Sequence, residues 1–317
     1  MRLGLTVDSA CDLPWSFLEQ NNVFVLPISV RINGELTEDT RDPQQTLNFY
    51  RSGVLSKGHD VESVPYSTEQ IRRLFLDKIV IDYDFAFIQT ITKTRSPIYE
   101  HAYQAMHQIL GEYRERRQGA GVSGPFSMRV VDSRTLFAGQ GVIAAETMRL
   151  IKENVPRNEL RTRVEALTTQ AYGYAVVPDL YYVRERGRKK GDSSVSFVGA
   201  VLGKALDIVP ILCGHNGDTF PVAKGRGFES AVQRLFAYAE QRIRRGLLAP
   251  YVCISYAGEE DIISQLPGFD QLARTARENN IKLLTSMMST TGGANMGPGA
   301  VSLALIAEPH TFEDYEK

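Results

Sequence analysis

Short apolar segments alternate with helical patterns along almost the whole chain, and this alternation constrains the fold more than any other feature. Runs rich in Val, Ile, Leu and aromatic residues predict strands. They fall at residues 2–7, 23–32, 84–90, 127–132, 172–177, 208–213, 219–223, 250–256, 281–286 and 299–307. Helical patterns lie between most of them: 67–78 begins with the capping-box outline Ser67-x-x-Gln70, and 226–247 carries an apolar stripe. Strands that alternate with helices indicate an α/β protein.

The order of these patterns predicts two domains. The chain has 317 residues, more than the roughly 250–300 that one hydrophobic core usually organises. In the first half the alternation favours a mainly parallel sheet, whereas Asn216-Gly217 stands between two strand patterns and indicates an antiparallel hairpin in the second half. Two helical patterns without an intervening strand precede residue 168. We therefore predict an α/β domain at 1–168 and a second, with a mixed sheet, at 169–317.

Charge and composition exclude several classes of protein. The net charge of -1 and pI near 6.5 provide no overall field to attract nucleic acid. No apolar run approaches the roughly 18 residues that span a bilayer, so we expect a cytoplasmic protein. The three cysteines are far apart and read as buried or half-buried thiols, and the five histidines lack metal-ligand spacing. We expect neither a protein-held metal nor a cofactor.

Familiar nucleotide and hydrolase motifs are absent from the sequence. The segment "GAVLGKA" resembles a phosphate-binding P-loop, but the spacing from Gly199 to Gly203 is one residue too short, and Ala205 stands where a hydroxyl would reach magnesium. The sequence has no Gly-x-Ser-x-Gly elbow, and no Gly-x-Gly-x-x-Gly follows a strand. No nucleotide site follows from these patterns.

Hydroxyl and carboxyl side chains follow several predicted strands. Asp8-Ser9 and Asp132-Ser133 stand at strand ends, where ligands bind in open α/β sheets, but helix capping explains them equally well. Ser63 lies in the predicted turn "ESVPYS", and Ser96 precedes Pro97 at a predicted helix start that would favour an anion. Each serine is also a plausible helix cap.

Two further segments have unusual composition. The stretch "TTGGANMGPGAVSLALIA" near the C-terminus has more glycines than a tight turn needs, which predicts a close approach of backbone to another group. The segment "RERGRKKGD", 184–192, is rich in arginine and lysine and reads as a loop. It is either a solvated turn or a docking patch for an anion or acidic partner.

Several of these motifs, in this order, resemble those of the DegV family. They are "DSACDLP", "SVP" at 63–65, "VVDSRT", "GR" at 187–188, "LGKALDIVPIL", "AKGRG" at 223–227 and "GPGA" at 297–300. The resemblance covers nearly the whole chain and implies two α/β domains with an acyl chain in an apolar tunnel between them. It further implies a non-enzymatic protein that binds a long-chain fatty acid and presents its carboxylate to a fatty acid kinase for acyl-phosphate formation.

The resemblance also assigns site residues. Ser63, Ser96 and Asn295 would contact the head group, Arg188 and Arg226 would neutralise the phosphate as it forms, and the basic segment 184–190 would dock the kinase. Asn295 belongs to Asn295-Met296-Gly297-Pro298-Gly299, which corresponds to the family's His-x-Gly-Pro-Gly and places Gly297 at the site. No nucleic acid and no membrane span is expected.

Two departures from the family pattern bear on the head group. Glu62 stands where the family has a hydroxyl residue, and its charge would oppose a nearby carboxylate unless a cation intervenes. Asn295 can donate a hydrogen bond but cannot carry the positive charge of a histidine. These departures leave two alternatives open: a lipid sensor or store without a kinase, and a hydrolase or acyltransferase with Ser63 or Ser96 as nucleophile.

Overall fold

The computed structural model describes residues 1–57, 59–189 and 207–312. Within these residues the strands are β1 (Leu3–Asp8), β2 (Phe24–Leu26), β3 (Ile28–Ile32), β4 (Glu35–Asp39), β5 (Val61–Pro65), β6 (Phe85–Thr90), β7 (Ser127–Asp132), β8 (Ala171–Val176), β9 (Ile208–His215), β10 (Asp218–Arg226), β11 (Tyr251–Tyr256), β12 (Lys282–Met287) and β13 (Val301–Ile306). Each strand that the sequence predicted is present, with ends shifted by a few residues.

The helices follow the same alternation. They are α1 (Trp15–Gln20), α2 (Pro43–Arg51), α3 (Thr68–Leu74), α4 (Val80–Asp82), α5 (Ile98–Gln108), α6 (Tyr113–Gly119), α7 (Ala138–Lys152), α8 (Arg157–Gln170), α9 (Leu180–Lys189), α10 (Phe228–Arg245), α11 (Phe269–Glu278) and α12 (Thr290–Met296). A π-helical turn, Phe75–Ile79, joins α3 to α4. The capping box at Ser67 and Gln70 is formed, which confirms that prediction.

The described strands form three sheets. One is parallel, in the order β2-β1-β6-β7, and another is mixed, in the order β10-β9-β8-β13-β11-β12. This confirms the predicted α/β class, with a parallel sheet in the first half and a mixed sheet in the second. The Asn216-Gly217 hairpin is also confirmed, because β9 and β10 pair antiparallel and both turn residues have positive φ.

A third, antiparallel sheet with the order β4-β3-β5 was missed by sequence reasoning. The predicted strand 23–32 divides at Pro27, which has no N–H for a ladder, into β2 in the parallel sheet and β3 in the small one. The predicted turn at 62–67 was wrong, since Val61–Pro65 is strand β5. An edge position tolerates Pro65, because proline there need not donate to a neighbouring strand.

The glycine-rich stretch begins with helix α12, which Ser289 caps by accepting a hydrogen bond from the Gly292 amide. The predicted close approach is present, because a Cβ on Gly293 would lie 2.5 Å from the Tyr50 hydroxyl oxygen. One other local prediction was wrong. The basic segment 184–190 was predicted as a loop, but α9 continues to Lys189. Residue 190 lies outside the described residues.

Helix α7 packs between the parallel and the mixed sheet. Its side chains are buried nearly all round, as expected for a helix with no solvent face. One apolar cluster joins it to Leu5 and Val7 of β1 and to Ala304 and Ile306 of β13. The two halves therefore share core residues, and a domain boundary near residue 168, within α8, stays a prediction.

The cysteines are where the sequence predicted them. All three are buried free thiols, and burial raises the pKa of each: Cys11, Cys213 and Cys253. A buried thiol with a raised pKa is a poor nucleophile. These residues serve packing.

Candidate functional site

The two Asp-Ser strand ends flank the strand that leads to Ser96. In the parallel sheet, β6 lies between β1 and β7. Asp8 accepts a hydrogen bond from the Ile91 amide at 2.6 Å, and Asp132 accepts one from the Lys93 amide at 3.3 Å. Each carboxylate also accepts a hydrogen bond from the backbone amide of the residue two positions later in the sequence. The repeated motif thus fixes the start of the loop between β6 and α5 from both sides, rather than capping a helix.

Asp8 is the more deeply buried of the two carboxyl groups. Burial raises the pKa of Asp8 from 3.8 to about 7, and the lowering effects of the Ile91 amide, the Gln140 side chain and the Ala10 amide do not cancel this rise. Asp8 therefore keeps its proton at pH values at which an exposed aspartate is ionised.

Ser63 and Asn295 meet although 232 residues separate them in the sequence. The Asn295 Nδ2 donates to Ser63 Oγ at 3.2 Å and to the Thr291 carbonyl oxygen at 2.7 Å. Ser63 lies on β5 of the small sheet, and Asn295 lies in the last turn of α12. The predicted head-group residues from the two halves are therefore in direct contact.

Glu62 lies on the other face of β5 from Ser63, because successive side chains of a strand alternate. It forms a salt bridge with Arg31, its cross-strand partner on β3. Arg31 is thus the cation that balances the negative charge of Glu62. The charge of Glu62 is paired and directed away from the face that carries Ser63.

Ser96 supports the start of α5. Its hydroxyl accepts a hydrogen bond from the Ile98 amide at 3.3 Å, although the N-cap residue of the helix is Pro97 and not Ser96. The preceding loop is joined to the second half, since the Thr94 hydroxyl donates to the Gly217 carbonyl at the tip of the β9–β10 hairpin at 2.7 Å.

Side chains from the first half hold the segment that precedes Asn295. Tyr50 donates to the carbonyl oxygens of Met288 and Ser289 at 2.9 and 3.0 Å. Asp39 accepts from the Thr291 amide at 2.8 Å. Polar contacts with distant parts of the chain therefore help to dock helix α12, beside the apolar packing of Ala294 and Met296.

Asp12 and Arg41 form a buried ion pair at the same place. The pair joins Arg41 Nη1 to Asp12 Oδ1 at 3.3 Å, with side chains 5% and 0% exposed. Asp12 also accepts from the Ser255 hydroxyl at 2.6 Å and the Ser289 amide at 2.9 Å. Burial raises the pKa of Asp12, although Arg41 and these donors act to lower it. Asp12 does not cap the nearby helix α1, whose start has no side-chain capping hydrogen bond.

Gly297 ends α12 against α9. Its φ of 84° and ψ of 166° place it in a region that is essentially restricted to glycine. A Cβ added there would lie 2.4 Å from Cδ2 of the Tyr182 ring. Gly297 therefore sets both the chain path after Asn295 and the close contact between the two helices.

The two predicted phosphate-binding arginines lie on separate elements. Arg226 is exposed at the end of β10, and the strand register puts it at the same end of the mixed sheet as Gly297. Strands β13 and β10 are three strand spacings apart, about 14 Å. Arg188 falls within α9, but its side chain lies outside the described residues.

A central apolar cluster lies beside these polar groups. Its buried members come from both halves and include Ile28, Phe75, Ile88, Ile91, Ile98, Phe137, Val177, Ala257, Met288, Met296 and Ala300. Met288 precedes α12 and Met296 ends it, so the cluster reaches the helix that carries Asn295. A ligand with a polar head and an apolar tail matches this arrangement.

The described ranges contain neither a candidate metal-binding cluster nor a candidate membrane-spanning helix. No group of three or more His, Cys, Asp or Glu side chains there could hold a metal ion. Among the helices of the same ranges, none combines the length and hydrophobicity needed to cross a bilayer.

Sequence reasoning missed three residues of this site: Asp39, Arg41 and Tyr50. A signal for Asp39 was present, because Asn33-Gly34 between two strand-length segments predicts a hairpin that would end near it. Both residues have positive φ in the β3–β4 turn. No local pattern marks Arg41 or Tyr50, which contact the Met287 and Met288 carbonyl oxygens more than 200 residues away.

Comparison with known proteins gives a consistent family. A family model described as "Uncharacterised protein, DegV family" matches residues 2–308. The chain is 47% identical over 312 residues to a DegV domain-containing protein of Xanthomonas campestris pv. campestris, a match that covers 98% of this chain and 99% of that protein.

Solved structures show the same architecture. DegV, a fatty acid binding protein from Bacillus subtilis, has a TM-score of 0.75 at 18% identity, over 97% of this chain and 100% of that one. A stearic acid-binding protein from Eubacterium ventriosum also has a TM-score of 0.75, at 20% identity, over 96% and 98% of the two chains. At these identities the likeness shows a shared fold.

Proposed function

Because this chain belongs to the DegV family, we propose that it binds a long-chain fatty acid, with the carboxylate at Ser63 and Asn295. The observation that carries the proposal is the hydrogen bond between these two side chains at the border of the central apolar cluster. The Bacillus subtilis and Eubacterium ventriosum proteins, described as binding fatty acid and stearic acid, support the choice of ligand.

The head-group chemistry suits a carboxylate without a cation. A ligand oxygen would take the Nδ2 hydrogen that Asn295 donates to Ser63 Oγ in this structure, and the Ser63 hydroxyl would donate to the carboxylate as well. An amide and a hydroxyl offer neutral hydrogen bonds, each worth about 1 kcal/mol net. Glu62 does not oppose the ligand, because Arg31 pairs with it on the other face of β5.

The tail supplies most of the affinity in this proposal. Each buried methylene contributes about 0.8 kcal/mol, so a chain of roughly fifteen gives about 12 kcal/mol before the costs of binding. The head group contributes little by comparison and decides how the carboxyl group is presented. The presence of Asn295 at the position where the family has a histidine is therefore compatible with lipid binding.

We expect the purified protein to carry a fatty acid. Denaturation, solvent extraction and mass spectrometry should release a long-chain fatty acid in near-stoichiometric amount, because a tail-driven complex survives purification. An unrelated protein purified in parallel controls for carry-over from the cell. An empty extract, together with no uptake of added palmitic or oleic acid, would contradict the proposal and restrict the family inference to the fold.

The finer proposal is that the bound carboxylate is presented to a fatty acid kinase and that this chain performs no chemistry itself. Arg226 supports it, because this exposed cation lies at the same end of the mixed sheet as Gly297. A guanidinium there would stabilise negative charge as an acyl phosphate forms. The basic residues of α9, Arg188 among them, would contribute to docking the kinase.

Replacing Arg226 with Ala should separate lipid binding from phosphorylation. We expect fatty acid occupancy to be unchanged and acyl-phosphate formation with a kinase catalytic subunit from the same genome to fall at least about tenfold, the effect of losing one charged contact to a phosphoryl group. Arg277→Ala, which removes an exposed arginine from the end of α11, is the matched control. Equal turnover in the two variants would exclude the role of Arg226.

A further inference from the structure

We propose that Asp39 is a positioning residue that sets the location of Asn295, and thereby the head-group selectivity of the site, by holding the Thr291 amide. This inference rests on the proposed fatty acid site. It concerns a residue that touches neither the ligand nor Asn295 and acts through the first turn of α12.

The contacts of Asp39 fix it firmly. Its side chain is buried, with the residue 1% exposed. One carboxylate oxygen accepts from the Thr291 amide at 2.8 Å, and the other accepts from the Arg41 amide at 3.2 Å. Hydrogen bonds to a carboxylate are roughly twice as strong as neutral ones. The Thr291 amide is therefore held by the stronger kind of contact.

The Thr291 residue links Asp39 to Asn295. Its amide donates to Asp39, and its carbonyl oxygen accepts from Asn295 Nδ2 at 2.7 Å. The Thr291 hydroxyl lies 3.4 Å from Ser9 Oγ. A shift of this residue would consequently carry the Asn295 side chain with it.

Helix α12 depends on such outside contacts. It has seven residues, two of them the adjacent glycines Gly292 and Gly293. Helices this short are unstable alone, and each glycine costs about 1 kcal/mol relative to alanine. The geometry of α12 therefore depends on contacts from outside the helix, which at its first turn come from Ser289 and Asp39.

The small sheet positions both head-group residues, Ser63 and Asn295. Asp39 ends β4 and Ser63 lies on β5, and both strands pair with β3. Ile28 of β3 is opposite Asp39, and Val30 is opposite Ser63. Ser63 is placed by this sheet directly, whereas Asn295 is placed by it through Asp39 and Thr291.

An Asp39→Asn variant tests the inference with a head-group-specific measurement. Asparagine keeps the size of the side chain, but one of its polar ends becomes a donor that faces a backbone amide. We expect palmitic acid to bind about tenfold more weakly, the cost of about one displaced hydrogen bond, and methyl palmitate to bind with unchanged affinity. Glu35→Gln, at the exposed start of the same strand, is the matched control and should change neither affinity.

A second measurement does not depend on a ligand. Hydrogen exchange of the peptide that spans 288–297 should be faster in Asp39→Asn than in Glu35→Gln, because α12 loses a hold on its first turn. If Asp39→Asn does not fold, Thr291→Pro provides a second variant. Proline removes the N–H that donates to Asp39, and the first turn of a helix tolerates proline. This variant should also bind palmitic acid more weakly and methyl palmitate with unchanged affinity.

The outcomes separate this inference from the proposed function. Unchanged exchange in 288–297, or equal losses for palmitic acid and its methyl ester, would overturn the positioning role. If the wild-type protein binds neither lipid, the proposed function fails, and the exchange measurement alone decides whether Asp39 positions α12. Faster exchange with a selective loss of palmitic acid supports both.

Discussion

Replacing Arg41 with Met should lower the free energy of unfolding by about 3–5 kcal/mol, because it leaves a buried carboxylate without its cation. Arg41 is 6% exposed and Asp12 is 1% exposed. The same side chain donates through Nη2 to the carbonyl oxygens of Leu13 and Met287, both at 3.1 Å. These two acceptors also lose their donor, which adds to the cost.

A surface arginine provides the control for this variant. Arg51 forms a two-pronged salt bridge with Glu259, with side chains 58% and 43% exposed. Arg51→Met should leave the free energy of unfolding nearly unchanged, since exposed ion pairs contribute little. Denaturant unfolding of both variants measures the difference. Similar values for Arg41→Met and Arg51→Met would mean that the buried ion pair does not stabilise the fold.

The double variant Asp12→Asn/Arg41→Met tests the physical reason. Removing both charges avoids an unpaired buried ion, so the double variant should be more stable than Arg41→Met alone. Recovery will be incomplete, because Asn cannot accept from both the Ser255 hydroxyl and the Ser289 amide. If the double variant loses as much free energy of unfolding as the two single variants together, Asp12 and Arg41 act independently.

The location of this ion pair explains why it matters beyond stability. Arg41 and Asp12 belong to the first half of the chain, and Met287, Ser255 and Ser289 belong to the second. The pair therefore joins the two halves beside the helix that carries Asn295. Loss of Arg41 should loosen the same segment that Asp39 holds.

The sequence was sufficient to predict the α/β class because its signals are local. Strand and helix periodicities lie within short windows, and Asn216-Gly217 specifies its turn through the backbone preferences of two residues. The parallel and mixed sheets follow from these elements and from the rule that parallel strands need a crossover. Some paired strands are adjacent in the chain, such as β9 and β10, whereas the pairs β1 with β6 and β8 with β13 are not specified by local signals.

The small sheet and α12 could not be predicted because tertiary contacts decide them. Strand β4 has exposed polar residues and gains its structure from pairing with β3. Helix α12 contains glycines that local propensity opposes, and distant side chains hold it. The acidic and basic residues of the buried network have no periodic pattern, and several of their partners lie in distant parts of the chain, as the Thr291 amide does for Asp39.

A large effect from a single added methyl group is expected at Gly297. Gly297→Ala should destabilise the protein by at least about 3 kcal/mol, because strain from a glycine-only backbone conformation adds to a steric clash. The new Cβ would lie 2.4 Å from the ring of Tyr182, which is 8% exposed and has little room to move. Thermal unfolding should show a midpoint lower by about 6 °C or more.

Gly34→Ala separates the two contributions. Gly34 has a φ of 95°, and no atom lies within 4 Å of an added Cβ, so this variant bears only the backbone cost of about 1 kcal/mol. Equal losses in the two variants would contradict a role for the Tyr182 contact. The double variant Gly297→Ala/Tyr182→Ala tests the clash directly. If the clash is real, the double variant should be less destabilised than the sum of its single substitutions. If the Tyr182 contact has no role, the double variant should regain none of the stability lost in Gly297→Ala.

Gly297→Ala should also weaken palmitic acid binding, since Gly297 follows the last turn of α12 only two residues after Asn295. The Tyr182 ring would have to move away, and α9 would move with it relative to α12. Binding measured well below the unfolding midpoint distinguishes this from a simple loss of folded protein. A variant that is destabilised but binds palmitic acid and methyl palmitate like the wild type would confine Gly297 to the fold, and an added selective loss of the acid would extend its role to the position of Asn295.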